Sequence, residues 1–264
     1  MASEVTKIRS DIAWSTSDEI NIRGRSLPDE LLGELTLGDF SFLQLTSRIP
    51  SPEESRVYNA ILVTLVEHGV TPSALAARLT YAGAPEAMQA AVAAGLCGLG
   101  SVFVGSTEGA ARLLSEAIPL GSEPPADLDA LARSVVEDWV DSGKSLPGFG
   151  HPIHKPIDPR TPRLFKIAEE TGFAGPYVAL VQLVAAHAER LTGKPLQVNA
   201  TGAIGALACE LGFEWKVVRG FGVMARAVGL VGHVLEESEQ PIALKVWRRT
   251  EEEASRHARP GGEM

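Results

Sequence analysis

The sequence predicts an almost entirely α-helical protein, and three observations predict it. Hydrophobic residues make up 45% of the 264 positions and aromatic ones only 6%, with much Ala, Leu, Val and Gly, a composition that favours closely packed helices. Helix-start signals recur, Ser51-Pro52-Glu53-Glu54 and Thr71-Pro72 among them, and glycines stand where the apolar periodicity stops, as at Gly83 and Gly172. Leu131, Val135, Val136 and Trp139 lie at helical spacing between Leu128 and Ser142.

Length alone is compatible with one large domain or two small ones, and it suffices for a sizeable core. The formal net charge of -9 and the pI near 5.2 argue against a general nucleic-acid or anionic-membrane surface, since both need a basic face. The N-terminal residues show no apolar run of signal-peptide length. Ala90 to Gly105, the longest weakly polar stretch, is short and broken by glycine, so it reads as buried helix and turn. A soluble, cytoplasmic protein is expected. Cys97 and Cys209 sit among apolar residues without metal-ligand spacing and are expected as buried, reduced thiols.

Residues 1 to 25 are polar, with Trp14 as the main anchor. Ser51 to Glu54 is a capping box with Pro at the first helical position, so a helix runs from there to Glu67, with His68 and Gly69 at its end. Thr71-Pro72 caps a helix to about Tyr81 that Gly83 ends, and Ala84-Pro85-Glu86 opens another to about Leu99. In the latter Ala90, Ala91, Ala93, Ala94 and Gly95 allow close helix approach. Glu108 to Ala117 reads as a helix, Gly121 to Asp127 as a polar boundary, and Leu128 to Ser142 as an amphipathic helix.

Thr161-Pro162 is expected to cap the next helix, ended by Gly172, and Pro176 to Leu191 forms a long one with His187 as a core or groove histidine. Val217 to Glu236 is apolar nearly all round, yet holds Arg226. Gly222, Arg226, Gly229 and His233 follow at intervals of 4, 3 and 4 (226−222, 229−226, 233−229) and so share a face. A guanidinium there needs an anion, either a structural Asp or Glu or a ligand carboxylate. The tail beyond Arg249 is polar and expected to be disordered.

The segment Leu146 to Arg160 carries the chemistry. Prolines at 152, 156 and 159 exclude a regular helix or central strand and make it a stiff loop, and Gly148 and Gly150 around Phe149 let a ligand approach the backbone. From Lys144 to Lys166 there are five cations, Lys144, Lys155, Arg160, Arg163 and Lys166, against Asp158 alone, so an anion is the natural guest. Asp158 and His154 read as parts of a capped turn rather than as metal ligands, and no metal is required.

Gly-Phe-Gly-His at 148–151 followed by Asp-Pro-Arg at 158–160 resembles the signature loop of the citrate synthase superfamily. The resemblance implies that His151 holds the keto or hydroxyl oxygen of a 2-oxo acid and Arg160 one of its carboxylates. Residues 67–78 resemble the family's His-Gly-x-x-x-Ser-x-x-x-x-Arg segment, in which His68 helps bind the oxo acid; read by itself, His68 is a helix-end cap or surface group. Phe221 to Ala227 resembles the segment with a second carboxylate-binding Arg, here Arg226, and Ile22 to Glu54 resembles the family's N-terminal region. Phe103 stands where members that condense acetyl-CoA carry a His that hydrogen-bonds the thioester enolate. A phenyl ring donates no such bond, and the same exchange occurs in the citryl-CoA lyase branch. Residues 197–205 resemble Asn-Val-Asp-x-x-x-Gly, with Thr201 in place of the catalytic Asp, and threonine has no basic form near neutral pH.

The resemblance covers roughly residues 20 to 248. It implies the citrate synthase fold, with a large helical domain made of 1–104 and 217–264 and a small one, 105–216, that carries the loop and closes over substrate. His151, Thr201 and Phe103 occupy the catalytic positions, His68, Arg160 and Arg226 those for substrate, and Gly148, Phe149, Gly150 and Lys155 those for CoA. The expected ligands are an acyl-CoA and a 2-oxo acid, with no cofactor beyond the coenzyme A of the substrate, no nucleic acid and no membrane. A homodimer or dimer of dimers is expected, with a third Arg lent by the neighbouring subunit; Gln240 to Arg249 offers candidates. Three functions are compatible: a citryl-CoA type carbon–carbon lyase, a synthase or lyase for another oxo acid or acyl-CoA, and a binding protein that lost the chemistry.

Overall fold

Helices account for most of the regular structure in the computed structural model, which describes residues 8–150 and 154–259. The chain opens with a small antiparallel sheet, β1 (Ala13–Ser15), β2 (Ile20–Ile22) and β3 (Arg25–Ser26), whose β2–β3 turn places Arg23 and Gly24 at φ 53° and 80°. A short π-helical turn, Leu27–Leu31, leads to α1 (Leu37–Thr46), α2 (Pro52–Val66), α3 (Pro72–Gly83) and α4 (Met88–Cys97). After a second such turn, Gly100–Val104, come α5 (Gly105–Ala117), α6 (Leu128–Ser142), α7 (Arg160–Thr171) and α8 (Pro176–Thr192). The remaining helices are α9 (Ala200–Glu210), α10 (Trp215–Glu239) and α11 (Ala243–Ser255).

Local chemistry sets several of these boundaries. Ser51 Oγ accepts from Glu54 N at 3.2 Å while Glu54 Oε2 accepts from Ser51 N at 2.8 Å, so the capping box at α2 is complete. Thr71 caps α3 through Ala74 N. The start of α7 differs from the expectation of a Thr161 cap. Pro159 already has helical angles, φ −63° and ψ −17°, so the helix begins upstream, and Asp158 Oδ1 accepts from Arg160 N at 3.1 Å in the capping role. Thr161 lies inside the first turn with its hydroxyl buried.

α9 is the central element: nearly every residue of it is buried, as expected for a helix apolar on all sides. A Cβ on Gly205 would lie 2.7 Å from Ala110 Cβ and Ala111 N, so this glycine lets α5 pack closely along α9. The main core runs through Phe42, Tyr58, Phe213 and Phe221, whose rings meet at centroid distances of 4.9 to 5.6 Å. A smaller core joins Ala77, Ala91, Leu230 and Val234 where α3 and α4 meet α10. α10 has a length and mean hydropathy that would also suit a membrane-crossing helix, but it packs against α2, α3, α4, α5 and α9, which is how a core helix behaves.

Four expectations change. Cys97 is exposed and only Cys209 is buried, because α4 turns its Ala91 and Gly95 face inward. Burial pushes the Cys209 thiol up to about 12, so it is inert. Trp14 is half exposed on β1 instead of anchoring the N-terminal segment. Val102 and Phe103 are exposed within the Gly100–Val104 turn rather than buried. The chain past Arg249 stays helical to Ser255, extending α11 from its packing against α3; residues 260–264 lie outside the described ones. His187 is a groove histidine as expected, with Nε2 2.9 Å from Asp129 Oδ1.

Candidate active site

α10 crosses the end of α2 and the Gly100–Val104 turn at close range because two of its residues lack side chains. A Cβ on Gly222 would lie 2.6 Å from Val104 Cγ1, and one on Gly229 would overlap the carbonyl of Val66. Arg226, between them, is thereby held over the end of α2. A cleft of 420 Å³ opens there, and its walls include His68, Thr71, Phe103, Arg160, Thr201 and Arg226. The tertiary structure thus brings together five of the sequence-predicted positions, His68, Phe103, Arg160, Thr201 and Arg226, drawn from five separate stretches of sequence.

Arg226 is largely buried, with Nη1 3.4 Å from Thr71 Oγ1 and 4.0 Å from Glu67 Oε1, and its Nε has no hydrogen-bond partner. Burial pulls its pKa below the usual arginine value, with Glu67 opposing that shift. A carboxylate entering the cleft would meet a desolvated, incompletely paired guanidinium.

Arg160 is engaged differently. Its Nε donates to Asp158 Oδ1 at 2.9 Å and its Nη2 to Asp158 Oδ2 at 2.8 Å, so one edge of the fork is already taken. Asp158 Oδ2 also accepts from Ala200 N at 3.0 Å, which ties the loop to the start of α9. Burial opposes ionisation of Asp158, but Arg160 and the two backbone N–H groups outweigh it and hold the carboxyl well below the usual range.

His68 lies just beyond α2, where Glu67 leaves helical geometry at φ −142° and Gly69 takes φ 76°. Its Nε2 is 3.2 Å from His154 Nε2, so one ring donates and the other accepts. Burial, followed by the charges of Arg160, His154 and Arg226, lowers the His68 pKa, with Asp158 partly offsetting them.

Thr201 stands in the first turn of α9. Asn199 Oδ1 accepts from Thr201 N at 2.9 Å, Thr201 Oγ1 at 2.7 Å and Gly202 N at 3.1 Å. The hydroxyl proton is therefore committed to the cap. Phe103, 53% exposed, offers the cleft only an apolar ring. His151, the remaining position in the catalytic set, lies outside the described residues.

Of the four positions matched to CoA binding, Gly150 and Lys155 line a second cavity, of 630 Å³, together with His154 and Lys194. Gly148 and Phe149 do not line it and instead fasten the loop. Gly148 O accepts from Asn199 N at 3.0 Å, Phe149 bridges Val198, and Gly150 N donates to Gln197 O at 2.8 Å. Gly148 has φ 91°, and a Cβ there would lie 2.6 Å from Gly202 Cα, so backbone meets backbone at this point.

Sequence reasoning did not single out Glu67, Thr71, Arg78 or Lys194 as functional. Lys194 had a usable signal, a cation five residues before Asn199 in a region matched to the site. Arg78 is 1% exposed: its Nε and Nη2 reach His233 Nδ1 at 3.0 and 2.8 Å, its Nη1 donates to Glu237 Oε2 at 2.9 Å, and its Nη2 also meets Glu236. His233 Nε2 then lies 3.1 Å from Glu67 Oε1.

The fold is that of the citrate synthase family: residues 28–249 match the family described as "Citrate synthase, C-terminal domain", and the chain belongs to it. Among solved structures, a citryl-CoA lyase from Hydrogenobacter thermophilus is 35% identical, with 88% of each chain covered and a TM-score of 0.79. The ATP citrate lyase of Methanothrix soehngenii, solved with citrate and coenzyme A, has a TM-score of 0.72 at 22% identity over 89% of this chain and 39% of that one, a likeness of fold. A probable ATP-citrate synthase of Dictyostelium discoideum is 25% identical over 248 residues, covering 88% of this chain and 38% of that protein. A putative citrate synthase 2 of Mycobacterium tuberculosis is 28% identical over 215 residues, covering 80% of this chain and 55% of that protein. The chain thus spans between 38% and 55% of the length of these two curated relatives.

Proposed function

We propose that the chain is a carbon–carbon lyase of citryl-CoA type, which splits a 3-hydroxy-acyl-CoA such as citryl-CoA into acetyl-CoA and a 2-oxo acid such as oxaloacetate. The observation that carries this reading is the composition of the cleft: Arg226, His68 and Arg160 converge on it, while Phe103 stands where a condensing enzyme carries a histidine. The likeness at 35% identity to a citryl-CoA lyase supports it.

In this reading Arg226 and the free edge of Arg160 hold substrate carboxylates, and His68 faces the oxo-acid portion. Cleavage requires that the 3-hydroxyl lose its proton, that the C2–C3 bond break to leave a C=O on the acid, and that the thioester enolate take up a proton at carbon. His151 is the group assigned to the hydroxyl oxygen. The CoA moiety extends to the second cavity, where Lys155 and Lys194 face its phosphates. We also assign the chain to the cytoplasm and to a homodimer or dimer of dimers; Val228, Val231 and Leu235 on α10 supply an exposed apolar stripe for such an interface.

Incubation with citryl-CoA, followed by assay of oxaloacetate and acetyl-CoA, tests the proposal. Release of both products supports it, and no turnover of intact citryl-CoA sinks it. A second reading, a CoA or metabolite-binding protein without chemistry, is favoured by Thr201, whose hydroxyl is tied to Asn199 and offers no acid–base group. Calorimetric binding of citryl-CoA without products would establish that alternative.

A further inference from the structure

Glu67 sits close enough to Arg226 to compete with any incoming carboxylate, yet does not close on it. The two charged groups are 4.0 Å apart at their nearest atoms, outside ordinary hydrogen-bond distance. Glu67 is pulled elsewhere by two donors: His68 N at 2.8 Å and His233 Nε2 at 3.1 Å both meet its Oε1. His233 is itself oriented. Arg78, which has no acceptor, donates to its Nδ1, so the ring carries its proton on Nε2 and presents that N–H to Glu67. Arg78 is locked in turn by Glu237, whose other oxygen accepts from Ile242 N and Ala243 N at 2.9 and 2.8 Å.

We infer that Arg78 and His233 act as positioning residues that hold Glu67 off Arg226, so that its guanidinium stays open to a substrate carboxylate while a counter-charge remains near. Without the His233 N–H, Glu67 would swing onto Arg226 and satisfy the incompletely paired guanidinium from within the protein, closing the site. The arrangement keeps a buried cation charged and still available, which direct pairing would prevent. This inference rests on the reading of the cleft as a carboxylate site.

The test is a rescue experiment, with citrate binding followed by calorimetry on the full chain. His233→Phe keeps ring volume and removes both nitrogens; it is expected to weaken citrate binding by about tenfold or more. Adding Glu67→Gln in the same chain removes the competing charge and is expected to recover most of that loss. A purely structural role for His233 would not be mended by neutralising Glu67. Unchanged binding in His233→Phe, or a loss that Glu67→Gln leaves unrepaired, overturns the inference. His233→Leu carries the same cycle if the phenylalanine variant does not fold. No citrate binding by the wild type overturns the carboxylate reading and this inference with it, whereas wild-type binding with no rescue overturns the inference alone.

Discussion

On the α10 side of the cleft, Arg226, Glu67, His233, Arg78 and Glu237 form a continuous run of charged and hydrogen-bonded contacts reaching from the cleft into the core. The wall formed by Phe103 and Thr201 contributes an exposed phenyl ring and a hydroxyl already donated to Asn199. The first wall holds a largely buried, incompletely paired guanidinium, so much of the desolvation that anion recognition requires is already met by the fold. The second wall carries no group at these two positions that titrates near neutral pH. The difference teaches that, on the proposed reading, binding and proton transfer are separable: Arg226 and Arg160 serve the carboxylates, while positions 103 and 201 supply no acid–base group.

The largest expected effect breaks the comparison at its strong side. Arg226→Ala should lower the affinity for citrate, and citryl-CoA turnover if present, by about a hundredfold or more, since truncating one member of a buried charged contact typically costs 2–5 kcal/mol. An effect below about threefold in calorimetry would mean that the first wall is not the carboxylate site.

Asp158 ties the start of α7 to the start of α9, through Arg160 on one side and Ala200 N on the other. Asp158→Asn should reduce folding stability by about 2 kcal/mol at neutral pH, the scale of hydrogen bonds to a charged group. Because its folded pKa lies below that of an unfolded Asp, near ~3.9, the contribution is full above about pH 4 and is lost as pH falls towards the folded value. Urea midpoints of wild type and variant should therefore lie closer together at about pH 3 than at about pH 6. Curves that stay equally far apart at both pH values would show that its charge is not what stabilises the junction.

The smallest effect sharpens the weak side. Thr201→Asp places a carboxylate at the first turn of α9, a favourable location near a helix N-terminus. If the missing group is what limits the reaction, citryl-CoA cleavage should rise by about tenfold, at the low end of what a general acid or base contributes. No gain in steady-state rate would place the proton-handling group elsewhere in the cleft.

Several helix boundaries were legible because local chemistry sets them. The Ser51 capping box, the Thr71 cap and the Gly83 and Gly172 stops depend on residues within one turn of each other. The shared face of Gly222, Arg226, Gly229 and His233 was legible for the same reason, and the structure turns it onto Val104 at one end and onto the end of α2 at the other. Cys97 was misread because apolar neighbours in sequence do not say which side of α4 faces the core. Thr161 was misread because a proline with helical angles moved the cap upstream to Asp158.

By itself, the sequence determined that the chain is helical, that it belongs among citrate synthase relatives, and that Phe103 and Thr201 depart from the condensing pattern, since these are matters of residue type and short spacing. Only the tertiary structure decided that Arg160 shares its fork with Asp158 and that Glu67 stands back from Arg226. Glu67 and His233 are separated by 166 residues. No local periodicity encodes a contact of that kind: it arises when α10 packs across the end of α2, and the geometry of that crossing sets which charges meet.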